Sequence, residues 1–278
     1  MSVNQNLRCH TAQRRDEMNK QVVSDGTVGK ALDILDIVVA FGRSVRFTEI
    51  LDACPYPKAT LHRILQSLTN QGMLAYDADR GVYVPGMRLV RIGRHAWNQS
   101  SLAPLALPFI DSLAHDVNET VHLAQMENGR VVFIEKVTPE TGFQTMARPG
   151  RRSPAHCTGV GKVMLAHLDE ARRTAALARQ DYRNFTPATH QGPETLLPEL
   201  EQILAEGVAF DREEHEQGII SIAAPIFGAG RHVIGALSVV TSTFRMSLDE
   251  LETFKPALLR TAAQIGGEAT VWPFPTAQ

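Results

Sequence analysis

At 278 residues, with 44% hydrophobic and 21% charged residues, the chain has ordinary globular composition and enough length for two cores. No apolar run approaches the ~20 residues that cross a bilayer, and residues 1–21 lack the apolar centre of a signal peptide. The three cysteines, Cys9, Cys54 and Cys157, form no CxxC pair and no metal-ligand spacing, so a reduced cytoplasmic setting without metal or other cofactor is expected. The formal net charge of −2 is unevenly spread. Residues 1–100 hold 13 Lys and Arg against 9 Asp and Glu, and the remainder holds 15 against 21. A basic first part joined to an acidic second part fits phosphate contact by one domain only.

Residues 1–25 read as a disordered, polar arm. A first helix is predicted over 27–41, with Val28, Ala31, Leu32, Ile34, Leu35, Val38 and Val39 on a broad apolar face, and Gly42 ends it. A second, short helix over 47–53 buries Phe47, Ile50 and Leu51, and Cys54, Pro55 and Tyr56 make the turn that follows. Pro57 suits the opening of a third helix. There Leu61, Ile64, Leu65 and Leu68 fall at i, i+3, i+4 and i+7, the spacing of one buried stripe, while Lys58, Ala59, Thr60, His62, Arg63, Gln66 and Ser67 occupy the other face. Gly72 follows as a C′ glycine. Two short strands, 73–76 and 81–84, flank the turn of Asp77, Ala78, Asp79 and Arg80. Helix, helix, turn, helix and hairpin is the order of a winged helix-turn-helix, assigned here to residues 26–86. Residues 88–100 then read as a linker helix with Arg88, Arg91 and Arg94 along one strip.

The texture changes at residue 102. A helix is predicted over 103–117, and strands over 120–125 and 131–137 meet at Asn128-Gly129, a strong hairpin signal. A further strand is predicted over 143–148. Residues 153–162 lead into a helix ending at His167, and helices follow over 169–179 and 194–206. Strands are predicted at 208–212, 218–225 and 232–241, then one amphipathic helix over 247–265. Strands mixed with flanking helices indicate an α+β domain over residues 102–270, with 271–278 as a tail.

Three stretches together make the chain similar to one family. TVGKALDILDIV with PKATLHRILQSL, SPAHCTGVGKVMLA, and GVAFDREEHEQGIISIAAPIF with GALSVV resemble the IclR family of bacterial transcriptional regulators, in that family's order. The resemblance implies an α+β chain with an N-terminal winged helix-turn-helix, a linker helix over 87–101 and a C-terminal GAF-like α/β effector-binding domain. It further implies a homodimer or dimer of dimers on double-stranded promoter DNA, RNA polymerase as an additional partner, no membrane partner, and a small organic-acid effector that controls a catabolic operon. The alternatives are a regulator that answers to no ligand and, outside this class, a thiol- or metal-dependent enzyme.

The first turns of such a recognition helix enter the major groove, which makes Lys58, Ala59, Thr60, His62 and Arg63 the DNA-contact candidates, with Arg46 before the second helix and Arg80 at the wing tip. For the effector, the resemblance points to Thr158, Gly159 and Val160, where backbone N–H groups at a helix start can receive a carboxylate. It also points to Asp211, Ser221, Ser238 and Val240. Strand alternation agrees, placing Ile219, Ser221 and Ala223 on one face and Ala236, Ser238 and Val240 on another. Serine at 221, where many members have cysteine, and valine at 240, where some have serine, suggest an acid with an apolar body, aromatic or short aliphatic.

No catalytic residue is expected. Gly159-Val160-Gly161-Lys162 fails as a phosphate loop, because His156 and Val163 stand where Gly and Ser/Thr are required. His156 and Cys157 are adjacent but have no third group to orient them. A metal on His156 with His122, Cys157 or His215 has no supporting spacing.

Overall fold

The computed structural model describes residues 26–145 and 147–269, so the expected arm and tail lie outside the described residues. The chain divides into two units between Ala96 and Trp97, inside the linker helix. Among the described residues no helix is long and apolar enough to cross a membrane.

The first unit comprises α1 (Gly26–Ala40), β1 (Val45–Arg46), α2 (Phe47–Ala53), α3 (Lys58–Asn70), β2 (Leu74–Asp77) and β3 (Val82–Pro85). The linker helix α4 follows (Met87–Ser100). The apolar stripe of α3 is buried as its spacing requires: Leu61, Ile64, Leu65 and Leu68 pack with Ile34, Val38, Val45 and Ile50. Pro57 is the residue before α3 rather than its first, a shift of one position. The hairpin β2–β3 forms in register Ala75↔Val84, and the two-residue β1 pairs with β3, an addition that the sequence pattern did not disclose.

The second unit begins with α5 (Ala103–Val117), β4 (Thr120–Glu127), β5 (Arg130–Val137), β6 (Arg152–Ser153), α6 (Gly159–Ala166), α7 (Glu170–Ala178) and α8 (Pro193–Glu206). It continues with β7 (Ala209–Arg212), β8 (Ile219–Phe227), β9 (Val233–Ser242), α9 (Leu248–Glu252) and α10 (Lys255–Ala269). Six antiparallel strands lie in the order β6-β5-β4-β9-β8-β7. Each face carries its own core. Val121, Leu123, Ile220, Ile222, Leu237 and Val239 pack with α5 and α10. Ala124, Ala209, Ala223 and Ala236 pack with α6, α7 and α8.

Two expectations are corrected. Residues 143–148 form no strand in their described part; the carbonyls of Phe143 and Thr145 accept from the Thr120 hydroxyl and Lys136 Nζ, and β6 takes the free edge of β5 instead. The helix expected over 247–265 is two helices, α9 and α10. Pro256 lacks the N–H that would bond back to residue 252, and its ring would meet that carbonyl, so the chain breaks at Thr253–Phe254.

Candidate functional sites

The outward face of α3 carries the residues singled out for DNA. Lys58, Ala59, His62 and Arg63 are exposed and Thr60 is half-buried. No side chain caps α3, so the first-turn N–H groups of Lys58, Ala59 and Thr60 have no side-chain acceptor at Pro57. His62 has a second contact, its ring meeting Phe47 edge-on at 6.1 Å, which ties it to α2. Arg46 is exposed, and its N–H bonds to Glu49 Oε2 at 2.9 Å. Arg43, at 2.6 Å, holds the Glu49 carboxyl below its usual range, with Arg46 N–H assisting. At the hairpin tip, Asp77 Oδ1 accepts from the N–H groups of Asp79 and Arg80, a local turn that leaves the Arg80 side chain exposed. Arg88 is tied to Gln71 at the end of α3, whereas Arg91 and Arg94 are exposed on α4.

In the second unit a polar row crosses the α6 face of the sheet. Register pairs Asp211 with Ser221, Ser221 with Val240 and Val240 with Thr120. The next row on that face runs Ala209, Ala223, Ser238, His122. Beside the first row lies a cavity of about 80 Å³, lined by Thr145, Ala147, Arg151, Ser153, Asp211, His215, Glu216, Ile219 and Val240. Of the seven effector candidates, Asp211 and Val240 line it. Thr158, Gly159, Val160, Ser221 and Ser238 are buried and do not line it. Gly159 lies so close to the sheet that a Cβ there would stand 2.9 Å from Ser221 Oγ. Thr145, Arg151, His215 and Glu216 line the cavity beyond the residues that the sequence singles out for an effector: the last three come from loops, and Thr145 from the segment expected as a strand.

The cavity wall is electrostatically unusual. Burial raises the Asp211 carboxyl to about 7, and the Glu214 carboxylate adds to this against the pull of Lys162 and the N–H groups of Glu214 and His215. A carboxyl so placed can donate as well as accept. Burial lowers His215 to about 4, with Arg151 and His156 assisting, so its ring is neutral at pH 7. His122 is lowered to about 3 by burial and Lys136, and its Nε2 faces Thr145 Oγ1 at 2.9 Å.

Thiol chemistry finds no support. Burial pushes the Cys157 thiol well up, away from the thiolate that reacts. His156 packs against Tyr182 at 5.2 Å and turns Nε2 toward Arg183 O at 3.4 Å. Nor do His122, His156, Cys157 and His215 come together as a ligand set. Among the described residues one trio of metal-ligating atoms does converge, on His190, Glu199 and Glu214.

A winged helix-turn-helix with an open recognition face, followed by a separate α/β unit that holds a small cavity, is the architecture of a DNA-binding transcriptional regulator. The comparisons with known proteins agree. Residues 27–78 match the IclR helix-turn-helix domain, and residues 95–266 match the C-terminal domain of the bacterial transcriptional regulator IclR. The chain is 34% identical over 232 residues to the HTH-type transcriptional regulator XynR of Escherichia coli (strain K12), covering 84% of this chain and 92% of that protein. Among solved structures it resembles the Thermotoga maritima IclR (TM-score 0.70, 26% identity, 88% of this chain and 98% of that one). It also resembles an IclR homolog from Microbacterium hydrocarbonoxydans complexed with 4-hydroxybenzoate (TM-score 0.75, 25% identity, 88% of this chain and 100% of that one). The chain belongs to the IclR family of transcriptional regulators.

Proposed function

We propose that this protein controls a catabolic operon, reading promoter DNA through residues 26–86 and binding a small organic acid in residues 102–270, with residues 87–101 as the link. It works as a homodimer or dimer of dimers and performs no catalysis. Lys58, Ala59, Thr60, His62 and Arg63 meet the major groove, Arg46 a phosphate and Arg80 the backbone or minor groove beside the wing. Arg63, exposed on the second turn of α3, has the reach for a bidentate contact with guanine O6 and N7. The uncapped first turn of α3 offers N–H groups to a phosphate beside Lys58.

The observation that carries the ligand reading is the polar row beside the cavity. His215 supplies a neutral ring and Asp211 a carboxyl that still holds part of its proton near pH 7, while Ile219, Val240 and Ala147 supply an apolar wall. A carboxylate with an apolar body matches both, and 4-hydroxybenzoate in the Microbacterium hydrocarbonoxydans homolog is an acid of that shape. Thr158, Gly159, Val160, Ser221 and Ser238 complete the proposed effector site. Gel shift with the gene's own upstream DNA, with and without a panel of aromatic and short aliphatic carboxylates, tests both halves. A shift altered by one of these acids is expected. No shift with that DNA overturns the regulator, and a shift indifferent to every acid, with no heat in calorimetry, overturns the effector.

A further inference from the structure

Behind the cavity wall, three chain segments converge on a buried ionic cluster that the DNA and effector readings leave unused. His190 precedes α8, Glu199 lies within it, and Glu214 follows β7. Their ligating atoms lie within 4.8 Å of one another. His190 Nε2 stands 2.6 Å from Glu199 Oε2 and 3.7 Å from Glu214 Oε2. The two carboxylates use their other oxygens differently: Glu199 Oε1 and Glu214 Oε1 both bind Lys162 Nζ, whose side chain is fully buried. Glu214 is 3% exposed, and its Oε2 is buried with no hydrogen-bond partner among the described residues.

Hydrogen-bond arithmetic sharpens the point. The Thr195 hydroxyl donates its one proton to Gly192 O at 3.0 Å, so toward His190 Nδ1, 3.2 Å away, it accepts. That places a proton on Nδ1. A neutral ring then presents a lone pair at Nε2, 2.6 Å from a carboxylate oxygen that can only accept. Two acceptors at that distance need a cation between them. A proton on Nε2 hydrogen-bonds Glu199 Oε2 and leaves Glu214 Oε2, 3.7 Å away, with an ion-pair contact but no hydrogen bond. A metal ion satisfies all three atoms.

We propose that His190 Nε2, Glu199 Oε2 and Glu214 Oε2 form a binding site for a divalent transition-metal ion of the zinc type, with water as the fourth ligand. One imidazole and two carboxylates suit zinc better than magnesium or calcium, which take oxygen alone. Zinc bonds of about 2.0–2.2 Å set ligand atoms roughly 3.4 Å apart in a tetrahedron. The 2.6 Å separation opens and the 3.7 Å one closes, each by less than about 1 Å. Lys162 on the outer oxygens, Arg212 on Glu199 Oε1 at 3.1 Å and Thr195 behind the ring orient the ligands from outside. Those two cations also hold the affinity below that of a bare carboxylate pair. The ion would clamp α8, the segment before it and the segment after β7 together. Glu214 N–H bonds to Asp211 Oδ1 at 2.8 Å, so the clamp reaches the cavity wall.

The test uses the full chain, stripped with a chelator and dialysed against Zn²⁺ or Co²⁺, followed by elemental analysis and visible spectroscopy of the Co²⁺ form. About one ion per chain is expected, with Co²⁺ bands of tetrahedral intensity. His190→Ala, at a half-buried position outside the helices, should keep its circular dichroism and weaken binding about tenfold or more. Glu201→Gln, exposed on α8, should bind as the wild type does. Glu214→Gln adds a second arm if it folds. A wild-type chain that retains no ion, or a folded His190→Ala variant that binds as tightly as wild type, overturns the site.

Discussion

Lys162→Met isolates what the buried ammonium contributes. Lys162 Nζ lies 2.7 Å from Glu199 Oε1 and bonds Glu214 Oε1, and the two glutamate side chains are 17% and 4% exposed. Methionine keeps most of the packing volume and removes the charge, leaving two buried carboxylates without their shared cation. Breaking a buried pair by deleting one partner costs about 3–5 kcal/mol. Part is recovered here, because Arg212 and His190 still reach Glu199 and the Arg212 N–H still reaches Glu214 Oε1 at 3.2 Å. The expected loss is therefore near the lower end, about 3 kcal/mol. Burial alone would raise Glu199, yet His190 and Lys162 hold it at about 2, so it is ionised across the working range in the native chain. Urea unfolding of chelator-treated protein, followed by tryptophan fluorescence, measures it. Both tryptophans, Trp97 and Trp272, come after Ala96 in the chain, and Trp97 packs against the α5 core. Adding Glu214→Gln should restore at least about 1 kcal/mol. A loss below about 1 kcal/mol, the range of exposed ion pairs, would refute the idea that Lys162 balances these carboxylates.

Three further outcomes follow from the geometry. Asp211 binds its proton more tightly folded (about 7) than unfolded (3.8), so its stabilising contribution is full below about pH 4 and lost as pH rises to about 7. Asp211→Asn should flatten the fall in stability over that window and stabilise the protein at neutral pH by at most on the order of 4 kcal/mol; an unchanged slope in urea melts across pH would refute this. In α6, Gly161→Ala drives a Cβ to 2.4 Å from the backbone of Ala155, whereas Gly159→Ala meets the Ser221 side chain at 2.9 Å. The first should cost roughly 3 kcal/mol or more and the second roughly 1–2 kcal/mol in thermal melts, and the reverse order would contradict the packing. On operator DNA, Arg63→Ala should lose about 1–3 kcal/mol of discrimination at one base position, while Lys58→Ala should weaken all sequences alike and lower the salt slope by about 1. Binding titrations over a salt series distinguish the two, and identical behaviour of both variants would overturn the assigned roles.

Elements built on period were legible in the sequence. The i, i+3, i+4, i+7 spacing of Leu61, Ile64, Leu65 and Leu68 predicts the buried stripe of α3. Alternation in 219–223 and 236–240 predicts which residues share a face, and the register agrees. What escaped was set by contacts between distant residues. Residues 143–148 read as a strand, but Thr120 and Lys136 reach across and claim the carbonyls of Phe143 and Thr145. Pro256 is legible as a helix break, yet the flanking apolar residues keep helical spacing across it, which masks the division into α9 and α10. The cavity draws Arg151 and His215 from loops where no period marks them, and Thr145 from the segment expected as a strand. His190, Glu199 and Glu214 lack any recognised ligand spacing, and only the fold brings them together.

The two faces of the sheet carry a consequence for how such a protein diversifies. Along β8 and β9 one set of alternate residues, Ser221, Ala223, Ser238 and Val240, belongs to the α6 side of the sheet, and the interleaved set, Ile220, Ile222, Leu237 and Val239, anchors the α5 and α10 core. Point substitutions can therefore change the chemistry of that face without loosening the scaffold. A one-residue insertion or deletion in either strand cannot, because it exchanges the two sets wholesale. Drift in chemical preference among such chains should thus proceed at constant strand length, by exchange of every second letter.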